Sequence, residues 1–177
     1  MCGTLSLSKR KAVFLDRDGV INKKAPEGVY ITNWRDFEFL PGVKESIGKL
    51  GARDYKIVII TNQRGISKGL MNLEDLEEIH GKMLNEILEA GGRIDKIYFC
   101  PHDAGECDCR KPLTGMLDKA SKELNIDLEE SWVIGDSVCD IEMGRKRKCK
   151  TILIGNENLE AADFVAKSLK EAVSLIK

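Results

Sequence analysis

The sequence has few aromatic residues, little proline, no excess charge of either sign and no long apolar run. Aromatic residues make up 6% of its 177 positions, and 28 Lys and Arg against 29 Asp and Glu give a net charge of −1. This balance excludes a protein that coats a polyanion, which needs a clustered positive excess. No apolar run approaches the ~20 residues of a membrane-spanning helix, and residues 1–11 lack the apolar core of a signal peptide. We therefore expect a cytoplasmic protein that binds neither membranes nor nucleic acid.

Length and composition favour one folded unit. An apolar fraction of 42% and a charged fraction of 32% are typical of a globular protein, and no Pro/Gly/Ser-rich linker divides the chain. We expect a single domain over residues 1–177. The expected helices carry no additional apolar face, which favours a monomer.

Short apolar runs alternate with amphipathic stretches along the chain. Continuous Val- and Ile-rich runs predict strands that are buried on both faces, as in a parallel sheet. They lie at residues 12–15, 56–60, 94–99, 132–134 and 151–154. Helical spacing of apolar side chains occurs at residues 43–51, 73–90, 114–125, 138–147 and from about 168 onward. The alternation predicts an α/β fold with an open, doubly wound, Rossmann-like parallel sheet, which binds ligands at the carboxyl ends of its strands.

Polar side chains suited to phosphoryl transfer follow these strands directly. Asp16 and Asp18 come after the first strand, and Asp136 comes after the fourth. Oxygen ligands from separate loops suit Mg²⁺. Once a metal ion offsets the negative charge, one aspartate can attack a phosphorus and the second can donate a proton to the leaving oxygen. The Thr61 hydroxyl and the Lys111 ammonium can hold the phosphoryl oxygens as negative charge builds up.

Four motifs, in chain order, resemble those of the haloacid dehalogenase superfamily of phosphatases. They are DRDGVIN (16–22), ITNQRG (60–65), RKP (110–112) and GDSVCD (135–140). The resemblance implies Asp16 as the nucleophile and Asp18 as the general acid and base. It implies Thr61 and Lys111 as the residues that steady the phosphoryl group. It further implies a catalytic Mg²⁺ that is bound by Asp16, Asp136 and the backbone carbonyl of Asp18.

Three cysteines and a histidine form a second constellation, Cys100, His102, Cys107 and Cys109. Three thiolates and one imidazole make a complete tetrahedral set for Zn²⁺, and a closed four-ligand site is structural rather than catalytic. The alternatives are a disulfide between neighbouring cysteines, or buried thiols that pack as small apolar groups. A zinc site here would fix the loop that presents the RKP motif.

The C-x-H and C-x-C pairs lie between the second and third motifs. A chain with these pairs resembles one subgroup of the superfamily, the D-glycero-D-manno-heptose-1,7-bisphosphate 7-phosphatases and histidinol phosphatases. The resemblance implies a phosphomonoester hydrolase that removes the C7 phosphate of a heptose bisphosphate through an aspartyl-phosphate intermediate. It also implies substrate binding by Asn62, Gln63, Arg64, Arg110 and the loop at residues 23–30. Too few residues separate the first two motifs for a large cap domain.

Other functions are compatible with parts of the pattern. Histidinol phosphate is an alternative substrate for the same chemistry. A nucleic-acid 3′-end phosphatase also uses similar motifs, but it needs a basic groove with interleaved aromatic residues. A non-catalytic, zinc-stabilised binding module would have lost the nucleophile or a metal ligand, and both are present.

Four further side chains receive an interpretation from the sequence. Asp140 either supports Lys111 or the metal site, or simply lies in the first turn of a helix. We predict that His80 is solvated on a polar helix face. We interpret Cys139 and Cys149 as packing residues.

Overall fold

The computed structural model describes residues 8–155 and 162–176. They form one parallel sheet of six strands in the order β3-β2-β1-β4-β5-β6. The strands are β1 Lys11–Leu15, β2 Tyr55–Asn62, β3 Lys96–Cys100, β4 Trp132–Gly135, β5 Lys150–Ile154 and β6 Phe164–Ala166. The chain runs outward from β1 to β3 and then returns to the other side of β1 with β4. The switch point therefore lies between β1 and β4, where open α/β sheets bind their ligands.

Helices cover both faces of the sheet because successive side chains of a strand point to opposite faces. The helices are α1 Val43–Gly51, α2 Leu73–Glu89, α3 Gly115–Leu124, α4 Val138–Lys146 and α5 Leu169–Leu175. Val13 and Leu15 of β1 belong to a buried cluster with α1, α2 and α5. Ala12 and Phe14 belong to a second cluster that includes side chains of α3 and α4. Both faces of β1 are thus buried, which explains its continuous apolar run.

The predicted doubly wound parallel sheet is confirmed, with two differences. β2 extends two residues beyond its apolar run to Asn62, so that Thr61 and Asn62 still pair with β3. The sequence reading missed β6, a three-residue edge strand that pairs with β5. Three residues carry too little periodicity to be recognised as a strand.

The segment between β1 and β2 contains only a short 3₁₀ turn, Trp34–Asp36, and α1. No cap domain is inserted among these residues, all of which the structure describes. None of the helices in the described ranges has both the length and the apolarity to cross a membrane. Cys2 and most of the N-terminal lead-in lie outside the described residues.

Candidate active site

A cleft of about 350 Å³ opens at the carboxyl ends of the central strands. It is lined by most of the predicted site residues: Asp16, Asp18, Thr61, Asn62, Gln63, Arg110, Lys111 and Asp136. The loop after β1 contributes Lys24 to Ile31 to the same cleft. Arg64, also predicted to bind substrate, is not among the lining residues. The fold thus brings residues from four separate segments to one place.

Lys111 lies at the centre of the acidic side of the cleft. Its ammonium lies 2.8 Å from Asp16 Oδ1 and 2.5 Å from Asp140 Oδ1, and it donates a hydrogen bond to the Ile60 carbonyl at 3.1 Å. Lys111 is only 4% exposed and Asp140 is fully buried. Both interpretations of Asp140 therefore hold, because Asp140 pairs with Lys111 and its Oδ2 also caps the first turn of α4 through Ser137.

Burial and charge set the protonation of this group. Burial raises the pKa of Asp16 to about 7; Lys111 opposes the rise, whereas the charges of Asp140 and Asp18 add to it. Burial alone would lower the pKa of Lys111, but the two carboxylates outweigh it and raise that pKa above its usual value. Lys111 therefore stays cationic beside the predicted nucleophile.

Asp18 faces a different set of partners from Asp16. Its carboxylate accepts hydrogen bonds from Arg17 Nη2 at 2.9 Å, Asn22 Nδ2 at 2.9 Å and Gln63 Nε2 at 3.0 Å. Burial favours its neutral form, but the Arg17 charge and these donors lower its pKa overall. Arg17 itself is 0% exposed. The sequence reading missed its role, because a basic residue between two aspartates has no local signal of burial.

The prediction of a solvated His80 is wrong. His80 is 8% exposed, and its Nε2 lies 3.4 Å from Arg17 Nη1. Burial lowers its pKa to about 3, and the Arg17 charge adds to the effect. Since a guanidinium offers only donors, the neutral imidazole must accept this contact through Nε2. The prediction failed because His80 lies on the buried face of α2 beside Leu76, Ile79 and Met83, where its ring lies near Phe99 and its Nε2 faces Arg17.

Three carboxylates are arranged as a metal site. One oxygen each from Asp16, Asp136 and Asp140 lies within 4.8 Å of the others. Asp136 Oδ1 is buried and has no hydrogen-bond partner among the described residues. A Cβ on Gly19 would lie 2.3 Å from Asp136 Oδ2, so only glycine allows the loop to approach so closely. A set of carboxylate oxygens of this kind fits a hard divalent cation.

Residues of the second motif, ITNQRG, form hydrogen bonds to both Lys111 and Asp18 in the cleft. Asn62 Oδ1 accepts a hydrogen bond from the Lys111 amide at 3.1 Å, and Asn62 Nδ2 donates one to the Lys111 carbonyl at 3.3 Å. Gln63 Nε2 donates to Thr61 Oγ1 at 2.8 Å as well as to Asp18. Thr61 therefore keeps its own hydroxyl hydrogen for a ligand in the cleft.

The Cys/His loop brings its four ligand atoms together. Distances between neighbouring members are 3.2 Å for Cys107 to Cys109, 3.5 Å for Cys100 to Cys107 and 3.4 Å for Cys109 to His102 Nδ1. Disulfide-bonded sulfurs lie about 2.05 Å apart, so these are free thiols. Zn–S bonds of about 2.3 Å in a tetrahedron place sulfurs somewhat under ~4 Å apart, close to what is seen. The group can hold a metal ion.

Two arginines tie the Cys/His loop to its neighbours. Arg64 Nη2 lies 2.7 Å from Asp103, which directly follows His102. Arg110 Nη1 donates a hydrogen bond to the His102 carbonyl at 3.3 Å. Arg64 thus forms an ion pair with the Cys/His loop and is not one of the cleft-lining residues.

The two other described cysteines differ in position. Cys149 is buried in the second core cluster, as a packing residue should be. Cys139, predicted to pack in the same way, is half-buried, lines the cleft and lies 3.0 Å from Ser137 Oγ. Its place at the start of α4, directly above the switch point, explains the difference.

One sequence family and several known proteins match this chain. A sequence model of the polynucleotide kinase 3 phosphatase family matches residues 11–170. The D-glycero-alpha-D-manno-heptose-1,7-bisphosphate 7-phosphatase of Campylobacter jejuni is 42% identical over 96% of this chain and 97% of its own length. The corresponding beta-anomer phosphatase of Pasteurella multocida is 37% identical over 95% of this chain and 97% of its own length.

A solved structure is similar over nearly the whole chain. The D,D-heptose 1,7-bisphosphate phosphatase from B. bronchiseptica, complexed with magnesium and phosphate, has a TM-score of 0.85 and 30% identity. It matches 93% of this chain and 97% of its own. These likenesses confirm the resemblance drawn from the four motifs and the Cys/His loop. The chain is a phosphatase that belongs to the haloacid dehalogenase superfamily, in the family of the heptose-1,7-bisphosphate 7-phosphatases.

Proposed function

We propose that the protein hydrolyses the C7 phosphate of D-glycero-D-manno-heptose 1,7-bisphosphate and leaves heptose 1-phosphate. The curated relatives of this length are named for that reaction. The observation that carries the proposal is the buried Asp16–Lys111–Asp140 group at the head of an open cleft. It places a carboxylate next to a permanent cation, where a phosphoryl group can be attacked and its charge held.

Asp16 is the nucleophile in this scheme. Oδ1 is held by the Lys111 ammonium and by the Arg17 amide at 2.7 Å, so we assign the attack to Oδ2. The new bond joins Asp16 Oδ2 to phosphorus, and the bond from phosphorus to the C7 oxygen breaks. Asp18 gives that oxygen its proton, so the acid form of Asp18 has to be populated in the substrate complex even though its pKa is lowered in the free site. Water then attacks the phosphorus, Asp18 takes its proton, and Asp16 is restored with release of phosphate.

The remaining side chains hold the phosphoryl group and the substrate. The Lys111 ammonium and the Thr61 hydroxyl are positioned to contact phosphoryl oxygens as their charge increases. Asn62 keeps Lys111 in place through both hydrogen bonds to its backbone. Gln63 orients Asp18 and Thr61, and Arg110 is one of the cleft-lining cations.

We assign Mg²⁺ to Asp16, Asp136 and the backbone carbonyl of Asp18, with Asp140 beside them. The unpartnered Asp136 Oδ1 and the carboxylate cluster support this assignment. When bound, the ion neutralises charge between the nucleophile and the phosphoryl oxygens. We assign Zn²⁺ to Cys100, His102, Cys107 and Cys109, where it has a structural role.

One observation favours a second candidate, a nucleic-acid 3′-phosphatase, since the matching family is described as a polynucleotide kinase 3 phosphatase. Such an enzyme needs stacking platforms and a basic groove. Tyr30 is the single aromatic residue among the cleft-lining residues, and the three lining cations face four lining carboxylates. The cleft therefore suits a small phosphorylated sugar better than a strand.

A substrate panel tests the proposal. Phosphate release is measured from both anomers of heptose 1,7-bisphosphate, histidinol phosphate and a 3′-phosphorylated oligonucleotide, and phosphorus NMR identifies which phosphate is lost. We expect kcat/KM for one heptose anomer to exceed that for the other substrate classes by at least about a hundredfold, or ~3 kcal/mol. Highest kcat/KM on histidinol phosphate or the oligonucleotide overturns the substrate assignment.

Asp16→Asn tests the chemistry independently of the substrate. It keeps the size of the side chain but removes the nucleophilic charge, so we expect turnover to fall by at least about a thousandfold. The melting temperature and metal content should stay near those of the wild type. Turnover within tenfold of wild type excludes Asp16 as the nucleophile.

A further inference from the structure

Lys24 reaches from the loop after β1 into the predicted metal site. Its ammonium lies 2.6 Å from Asp136 Oδ2, although 112 residues separate the two in the chain. The Lys24 side chain is 57% exposed, whereas that of Asp136 is 14% exposed. The contact thus joins a solvent-exposed cation to a largely buried carboxylate directly after β4.

The charges around Asp136 explain why a cation is held there. Asp16, Asp136 and Asp140 bring three carboxylates within 4.8 Å. Lys111 contacts Asp16 and Asp140, so Asp136 has Lys24 as its cationic partner.

Lys24 and Lys111 differ in how easily each can be displaced from its carboxylate partner. Lys111 is buried, and removing it would leave two buried carboxylates facing each other. Lys24 forms one exposed ion pair at the end of a flexible stem, and such pairs contribute little stability. A divalent cation that contacts several carboxylates at once competes effectively with a single ammonium.

We infer that Lys24 is an exchangeable counter-ion of Asp136, which Mg²⁺ displaces and which then turns to the second phosphate of the substrate. The inference deepens the proposed function and rests on it for the identity of that phosphate. Lys24 lines the same cleft as Arg110. Once the ammonium is free, Glu27 is the one other lining carboxylate for which the described residues show no partner. Lys24 is a specificity-determining residue in this scheme.

The exchange predicts that the metal binds before the substrate. Without Mg²⁺, the ammonium is engaged with Asp136, and a bisphosphate meets the carboxylate cluster with one cation fewer. With Mg²⁺ bound, the site gains a divalent charge and the cleft wall gains a free ammonium. A substrate with one phosphate benefits from the first change only, so Lys24 should distinguish bisphosphates from monophosphates.

Magnesium affinity without substrate is the first readout. We expect Lys24→Met, which keeps the length and removes the charge, to lower the Kd for Mg²⁺ by about three- to tenfold in calorimetric titration of the full chain. Lys24→Arg should stay near wild type. Lys23→Met is the matched control, because Lys23 is its neighbour but pairs with exposed Glu38 at 3.6 Å. An unchanged or weaker Mg²⁺ affinity in Lys24→Met overturns the exchange.

Steady-state kinetics at saturating Mg²⁺ give the second readout. Lys24→Met should raise KM for heptose 1,7-bisphosphate about tenfold and KM for p-nitrophenyl phosphate less than about twofold, with kcat preserved. An equal rise for both substrates overturns the role of Lys24 at the second phosphate. If the wild type fails to hydrolyse the bisphosphate while Lys24→Met still binds Mg²⁺ more tightly, the substrate proposal fails and the exchange at Asp136 stands.

Discussion

The carboxylate side of the cleft and the Cys/His loop hold their functional groups by different means. Asp16 and Asp136 directly follow β1 and β4, two buried strands that pair with each other, and the buried Lys111 contacts Asp16. Residues 101–110 contain no strand or helix, and they carry three of the four grouped ligand atoms, the fourth being that of Cys100 at the end of β3. Side chains of the first region are therefore positioned by the sheet, whereas those of the second have no regular structure around them and would be held by the proposed zinc ion.

Mutations in the two regions should therefore have different consequences. Damage at the carboxylate side should affect both chemistry and folding, because buried charges lose their partners. Damage at the Cys/His loop should loosen one segment and weaken substrate binding while leaving the sheet intact. Three experiments can confirm or refute this division.

The largest effect is expected for Lys111→Met. It removes the proposed donor to the phosphoryl group, and loss of such a donor typically costs about 100- to 1000-fold in kcat. It also leaves Asp16 and Asp140 buried beside each other, and breaking such a pair costs ~3–5 kcal/mol of unfolding free energy. Activity assays and urea denaturation measure the two effects.

A second variant separates lost charge balance from lost packing. Adding Asp140→Asn to Lys111→Met removes one of the stranded charges, so part of the lost stability should return while activity stays low. Lys146→Met is the control, since Lys146 is an exposed lysine that donates a hydrogen bond to the Pro112 carbonyl at 2.9 Å. Wild-type stability of Lys111→Met would show that the pocket does not rely on this cation.

An intermediate effect is expected for Cys109→Ser. Loss of one thiolate ligand should release zinc, raise KM about ten- to a hundredfold by misplacing Arg110, and change kcat much less. Metal analysis and hydrogen exchange over residues 101–110 and 56–62 measure the outcome. Only the first segment should lose protection.

Cys149→Ala serves as the control for metal content. Cys149 is buried in the second core cluster but is not one of the four grouped ligands, so the variant should keep its zinc. Loss of protection in β2 as well as in the loop of Cys109→Ser would mean that the two regions fold as one unit.

The smallest effect is expected for Asp103→Asn. It weakens the ion pair with Arg64 that links the Cys/His loop to the segment after β2. Because this pair is solvent-accessible, kcat/KM should fall by less than about threefold and zinc should be retained. The exposed Arg10–Asp54 pair offers a control far from the cleft in Asp54→Asn. A tenfold or larger loss in Asp103→Asn would show that the loop depends on this contact as much as on its metal ligands.

Local patterns predicted most of the fold and the acidic side of the site. Continuous apolar runs placed five of the six described strands, and the polar residues directly after them marked Asp16, Thr61 and Asp136. Parallel strand ends meet at one edge, so these residues converge wherever the strands pair in this order. The spacing of the four metal-ligand residues was informative without any knowledge of the fold.

Features that depend on tertiary burial were not predictable. Arg17 and His80 both carry polar side chains in polar surroundings of the sequence, yet each is buried because α2 packs over the loop after β1. The contact of Lys24 with Asp136 joins two loops without any local signal. Burial of a polar side chain is decided by what packs over it, which a single sequence does not contain.

The absence of a covering domain between β1 and β2 has a consequence for which acceptor receives the phosphoryl group. The proposed phosphorylated Asp16 would therefore be open to attack by water, which is in large excess over any competing alcohol. Transfer of the phosphoryl group to a second hydroxyl would require exclusion of water during the lifetime of the acyl phosphate. Among the described residues no domain provides that exclusion, which favours net hydrolysis in the proposed scheme.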